Sequence, residues 1–299
     1  AYNDGGRRFP DIHLVLEALQ WEQIRPVGDS PSARYLHAAV TLDSQQGMFY
    51  IFGGHGFSGV PLNSGMMEVW MLDSPAKGWE LVVFEGTPMT NSAGGFIFAD
   101  ENCAAVTINT QLPANRAGHS AISMGSEALL CGGYTTNQMS WPGNGNDMEC
   151  WWFTPAPYPR FDFLKLKSGS PVPTVRWGHA MAEDPKLGHA LLFGGISKGS
   201  TVLNDCWVLQ VSNSVDPSAQ YEWLSCTPTA ATALKPMPRY GMGAVFQESS
   251  QSFFLYGGFA WTGTRFASMS DMWVLEDFAD ILKVKWSQVN AVSEKPTAR

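Results

Sequence analysis

Arg176-Trp-Gly-His179, Ala190-Leu-Leu-Phe-Gly194-Gly195 and Asp205-Cys-Trp207-Val-Leu209 follow one another along one stretch, and the same three phrases return in the same order three more times. The arginine phrase recurs as Arg34-Tyr-Leu-His37, Arg116-Ala-Gly-His119 and Arg239-Tyr-Gly-Met242. The glycine phrase recurs as Met48-Phe-Tyr-Ile-Phe-Gly53-Gly54, Ala128-Leu-Leu-Cys-Gly132-Gly133 and Phe253-Phe-Leu-Tyr-Gly257-Gly258. The tryptophan phrase recurs as Glu68-Val-Trp70, Glu149-Cys-Trp-Trp-Phe153 and Asp271-Met-Trp273, and three of the four copies add a second Trp at 79, 223 or 286. A fixed internal period is read before any single element, because it marks units that cannot bury their apolar faces alone.

Each unit reads as four short strands. The glycine-ended runs are apolar at successive positions rather than alternating, so those strands are expected to be covered on both faces, as when one small sheet stacks between two others. A glycine pair at the strand end admits positive φ and lets a bulky ring come close to the backbone, which offers the repeated tryptophans a place to pack. Closing the stacked sheets into a ring removes most exposed strand edges.

These phrases resemble the kelch repeat over nearly the whole chain. The resemblance implies an all-β fold, a kelch-type β-propeller of four-stranded antiparallel blades, the central domain of galactose oxidase being one such propeller. A WD-type propeller is set aside, since no Trp-Asp dipeptide occurs and it leaves the Gly-Gly pairs unexplained. Residues 1–299 are read as one propeller domain or fragment. Complete blades are expected at 31–84, 113–168, 171–226 and 236–290, with the end of a blade at 1–30 and the start of another at 295–299. Kelch rings usually have six or seven blades, so the chain is expected to be a piece of a larger ring. Successive arginines at 34, 116, 176, 239 and 299 are 82, 60, 63 and 60 residues apart, so the first interval holds an insertion, placed at 85–112 with a short hairpin of its own.

Composition narrows the function classes. The 299 residues carry a formal charge of −8 with only 19 Lys and Arg and no basic run, which argues against nucleic acid as a partner. No stretch of about 18 apolar residues is present to mark membrane insertion. Cys103, Cys131, Cys150, Cys206 and Cys226 form an odd set without a CxxC pair and read as buried free thiols, hence a reducing, cytoplasmic setting.

Loop length points to one face. Short turns join first to second strands, whereas long connections follow the glycine pairs, at His55–Met66, Tyr134–Asn146, Ile196–Leu203 and Phe259–Ser270. Strands alternate direction within a blade, so these connections and the arginine phrases share a face, and binding residues concentrate on loops of a rigid scaffold. Candidate partner contacts are Arg34, Tyr35, Phe57, Arg116, Trp141, Arg176, Trp177, Arg239, Tyr240, Trp261 and Arg265. In substrate-binding kelch domains of ubiquitin-ligase adaptors, arginines at the matching place help line a pocket, which the resemblance suggests for Arg34, Arg116, Arg176 and Arg239. A residue present in every blade is equally what every blade needs for its own bonding, and the same holds for His37, His119 and His179. The aromatics and Arg265 differ between copies, and such side chains dominate interface hot spots.

No catalytic residue, metal ligand set or cofactor site is expected. Galactose-oxidase-like copper sites need two His and two Tyr, and the histidines here are mostly repeat positions. The Glu-x-x-x-Asp-x-x-x-His pattern of plant specifier-type kelch proteins meets Glu276, Asp280 and Val284, which lacks the third ligand. The leading expectation is a non-enzymatic protein-protein interaction module, an adaptor or scaffold that binds a protein or peptide, acidic if the arginines take part. The alternatives are a structural subunit of a larger complex that contacts through blade edges and the 85–112 insertion, and a copper- or iron-dependent kelch enzyme.

Overall fold

The computed structural model describes residues 28–42, 47–56, 67–73, 78–82, 89–90, 96–97, 112–135, 146–155, 159–211, 221–228, 234–276 and 284–289. Every regular element among them is β-structure. Four antiparallel sheets succeed one another, here called blades I to IV. Blade I is Ala38–Leu42, Met48–Phe52, Val69–Leu72 and Trp79–Leu81; blade II is Ser120–Met124, Glu127–Cys131, Cys150–Thr154 and Arg160–Phe163. Blade III is Ala180–Asp184, His189–Ser197, Val202–Val211 and Tyr221–Ser225; blade IV is Gly243–Gln247, Ser252–Tyr256, Met272–Glu276 and Lys285–Val289. Within the insertion, Met89–Thr90 pairs with Phe96–Ile97, outside any blade.

The apolar core lies between blades. Phe52 and Val69 of blade I meet Leu130 and Phe153 of blade II, and Leu129 of blade II meets Leu192 and Trp223 of blade III. Phe193 and Val208 of blade III meet Phe253 and Trp286 of blade IV. Leu129 and Leu130 therefore serve two different cores, which explains the unbroken apolar run: its strand is covered on both faces. The strand Gly243–Gln247 of blade IV is covered on one face only, and its Val245 is 60% exposed.

The glycine pairs do have positive φ, as at Gly132 (69°) and Gly133 (85°), but the group that needs the room is not a tryptophan. A Cβ on Gly132 would lie 2.6 Å from the Arg176 carbonyl oxygen and 2.8 Å from Cε1 of His179, both belonging to the next blade. The Gly133 N–H donates to that Arg176 carbonyl at 2.8 Å, and Gly54 N–H donates likewise to the Arg116 carbonyl at 2.9 Å. A second series runs through the arginine phrases: Gly118 N–H to Leu36 O, Gly178 N–H to Gly118 O and Gly241 N–H to Gly178 O, at 2.8–2.9 Å. The three glycines have φ between 64° and 68°, and Leu36, in the same place in blade I, is forced to 56°.

The free-thiol reading is corrected. Cys131 bonds Cys150, and Cys206 bonds Cys226. The ladder of blade II puts Cys131 directly opposite Cys150, a juxtaposition set by strand register and invisible in a separation of 19 residues. Disulfides persist in oxidising surroundings, so the argument from thiols to a reducing compartment loses its premise. Cys103 lies outside the described residues.

Candidate functional site

The loop face is built from short ribbons that join each arginine phrase to the strand after the glycine pair. Arg34–Tyr35 pairs with His55–Gly56, Arg116–Ala117 with Tyr134–Thr135, and Arg176–Trp177 with Ile196–Ser197. In blade IV, Arg239–Tyr240 pairs with Phe259–Trp261, which turns back and pairs with Phe266–Ser268, making a three-stranded sheet. The described parts of the long connections thus meet the arginine phrases on one side of the blades.

The arginines themselves are not surface contacts, and their assignment as pocket-lining residues is corrected. Arg176 is fully buried: Nη1 donates to Gly194 O at 3.0 Å and to Asp205 Oδ1 at 2.6 Å, Nη2 donates to Asp205 Oδ2 at 2.8 Å, and Nε donates to Thr174 O. Arg239, also fully buried, repeats this with Gly257 O and both oxygens of Asp271. Arg116 is buried and donates to Gly132 O and Glu149, and Arg34 donates to Gly53 O and Glu68. A guanidinium has five N–H donors in a fixed fork, and here the blade's own oxygens occupy that fork. Trp207 Nε1 and Trp273 Nε1 each donate to the same carboxylates at 2.7 Å. Burial works to raise the Asp205 carboxyl, but the hydrogen bonds and charge of Arg176 with the Trp207 N–H outweigh it and hold the acid below its ordinary range. The acid two residues before each tryptophan was in plain sight in the sequence; its partner was not.

His119 and His179 are buried, and desolvation with nearby positive charge lowers each to about 3, so both are neutral. They border a cavity of about 220 Å³ whose walls, at or next to the start of each blade's first strand, include Ala38, Ala121, Ala180 and Met242. Each ring lies against the glycine pair of the preceding blade, and no group of three metal-binding side chains occurs among the described residues.

A series of aromatic rings, from buried to exposed, runs along this face. Tyr35 is 45% exposed and stacks on His55. Tyr134 meets Trp177 edge-on at 5.8 Å, Trp177 meets Tyr240 at 5.5 Å, and Tyr240 stacks on Phe259 at 5.6 Å and meets Phe266 at 5.8 Å. Trp261 closes the series on Phe266 at 5.1 Å. On the small sheet of blade IV, Ala260 points inward and is fully buried, while Phe259, Trp261 and Phe266 point outward at 40–47% exposure. Alternation normally puts polar residues outside, so three outward rings are an exposed apolar patch that the pleat alone does not explain. Tyr240, Trp177 and Trp261 of the sequence candidates belong to this series, and Arg265 sits in its turn, exposed. Phe57 and Trp141 lie outside the described residues. Phe259 and Phe266 were missed, although the alternation Phe-Ala-Trp around Thr262-Gly-Thr-Arg265 followed by Phe-Ala-Ser spells a hairpin.

Repeated four-stranded sheets, buried against one another and linked through their glycine pairs, define a β-propeller. The family profile described as the KLHDC2/KLHL20/DRC7 Kelch-repeats domain matches residues 118–299, and the chain belongs to this kelch-repeat family. It is 24% identical over 289 residues to acyl-CoA-binding domain-containing protein 4 of Arabidopsis thaliana, a match that covers 97% of this chain and 36% of that protein. The chain therefore spans about a third of the length of that curated relative. A solved structure described as "Structure of YjhT" superposes with a TM-score of 0.55 at 14% identity, covering 88% of this chain and 72% of that one, and shows a shared fold. Kelch-repeat domains are in general protein-interaction modules.

Proposed function

We propose that this propeller is a non-enzymatic module that holds a partner protein against its loop face, with the aromatic sheet of blade IV at the centre of the contact. The observation that carries the reading is the outward trio Phe259, Trp261 and Phe266, three large rings gathered on one surface sheet and absent from the described cores between blades. Rigid aromatics supply contact area at low entropic cost, which is why they anchor interfaces.

The test places a photo-crosslinking residue at Thr262, in the hairpin turn, or at Ser249, in a turn on the opposite face. In extract from the protein's own cells, a partner should be captured from position 262 and not from 249. Capture from 249 alone, or equally from both, overturns the reading. The second reading, an architectural subunit, draws on the additional strand pair at Met89–Thr90 and Phe96–Ile97. Deleting residues 85–112 discriminates: loss of assembly with crosslinking at 262 unchanged supports the architectural role.

A further inference from the structure

The motif arginines are spent inside the blades, so any charge the loop face offers a partner must come from elsewhere. In the loop segments 172–178, 197–205, 234–242 and 257–271, the carboxylates are Asp205 and Asp271, each engaged by an arginine and a tryptophan N–H, and the exposed Asp147 of blade II bridges to Thr174 at their edge. The same segments carry Lys198, Lys235 and Arg265 in addition to the buried arginines, and none of these three forms an ion pair among the described residues. Lys198 and Arg265 are exposed and Lys235 is half-buried. They sit on adjoining elements: the Asn204 side chain, on the strand that follows the Lys198 turn, donates to Pro236 O beside Lys235, and the Arg239 strand two residues beyond Met237 pairs with the hairpin that carries Arg265.

Apolar surface lies between these cations. Leu234 is 58% exposed and Met237 40%, and they flank Lys235 as Phe266 and Trp261 flank Arg265. On the opposite face the turns between first and second strands carry Glu127, Glu183, Asp184 and Glu248 beside Lys186, and burial with the charge of Asp184 pushes the Glu183 carboxyl up to about 7. In a chain of net charge −8, the loop side of blades III and IV is thus a locally cationic, aromatic surface. Such a surface steers and retains partners of opposite charge, and its rings favour ligands that bring apolar side chains of their own.

We infer that the loop side of blades III and IV is a docking site for an acidic segment of the partner, with its carboxylates on Lys198, Lys235 and Arg265 and its apolar anchors on Leu234, Met237, Trp261 and Phe266. The inference rests on the protein-binding reading above and names the chemistry of the segment bound. It also relocates the cationic contribution from residues that repeat in every blade to residues that occur once.

Random twelve-residue peptides displayed against the full 299-residue chain test it, followed by fluorescence anisotropy with the peptides recovered. Enrichment of Asp and Glu together with Trp, Phe, Leu or Met is expected. Affinity should fall at least tenfold in the Lys235→Glu/Arg265→Glu variant and again in Trp261→Ala/Phe266→Ala, and should weaken between 50 and 300 mM salt, while Lys186→Glu on the opposite face leaves it unchanged. Thermal melting of each variant confirms that it is folded. Recovery of basic or uncharged peptides, affinity indifferent to Lys235→Glu/Arg265→Glu, or recovery of no peptide at all overturns the inference. Crosslinking from Thr262 is read separately from all three results, so failure of the acidic-segment inference is distinguished from failure of loop-face binding itself.

Discussion

Arg239 and Trp261 lie in adjacent strands of one small sheet and have opposite fates. Arg239 recurs in every blade, is fully buried and has its donors taken up by Gly257, Asp271 and Met237. Trp261 occurs once, is 45% exposed and touches only its neighbour Phe266 among the described rings. What every blade contains is what a blade uses on itself, and the proposed contact draws on side chains that the repeat does not prescribe.

The largest effect that could break this contrast is on the arginine side. Arg176→Ala strands the Asp205 carboxylate and the Gly194 carbonyl, and removing one partner of a buried pair costs about 3–5 kcal/mol. Urea unfolding should show that loss; a variant as stable as the parent would mean that the arginine is not structural. Replacing the pair together, Arg176→Met with Asp205→Leu, should recover part of it.

The buried histidines come next. Their folded-state values of about 3 lie below the unfolded value of 6.5, so the unfolded chain takes up protons that the folded chain refuses. Stability is full above pH 6.5 and declines as pH falls towards 3, by about 1.4 kcal/mol per pH unit for each ring, or on the order of 2 kcal/mol each by pH 5. Blade IV has Met242 at this position, so His119→Met/His179→Met should keep the fold and flatten the dependence of the unfolding midpoint between pH 7.5 and 5. An unchanged slope would place the titration elsewhere.

Leu36 sharpens the comparison at a smaller scale. It holds a φ of 56° where the other blades have glycine, and a left-handed residue costs about 1–2 kcal/mol. Part of that returns as chain entropy in the unfolded state, so Leu36→Gly should raise stability by about 0.5–1 kcal/mol, measurable as a shifted denaturation midpoint. The smallest effect is expected at the recognition side: Trp261→Ala should change stability by no more than about 0.5 kcal/mol, as exposed substitutions do. A large loss there would turn the ring into a structural one.

The blades were legible in the sequence because periodicity, apolar runs and glycine pairs are local patterns that a ring of sheets imposes on each unit. The arginine hub was half legible: Arg, Gly-Gly and the acid before each Trp stood out, but that they form a single bonded set depends on strands brought together across 16–34 residues. The role of the histidines against the preceding blade's glycines was hidden for the same reason, since it is a contact between units. The disulfides were misread because Cys131 and Cys150 become neighbours only through register. The aromatic sheet was missed in part because its hairpin was read as a loop with one notable tryptophan.

Cys150 and Cys206 stand at the same place in their repeats, one residue after the acid that binds arginine, yet they are tied in opposite directions: Cys150 back to the second strand, Cys206 forward beyond the fourth. Pulled from its two ends, the chain would surrender all of blades I and IV to extension but not all of blades II and III. Stretches of 19 and 20 residues there are closed off, each withholding roughly 65 Å of contour length at ~3.4 Å per residue. The withheld stretch of blade II contains the loop between its second and third strands, and that of blade III contains the hairpin between its third and fourth, so under load the two blades keep opposite rims intact.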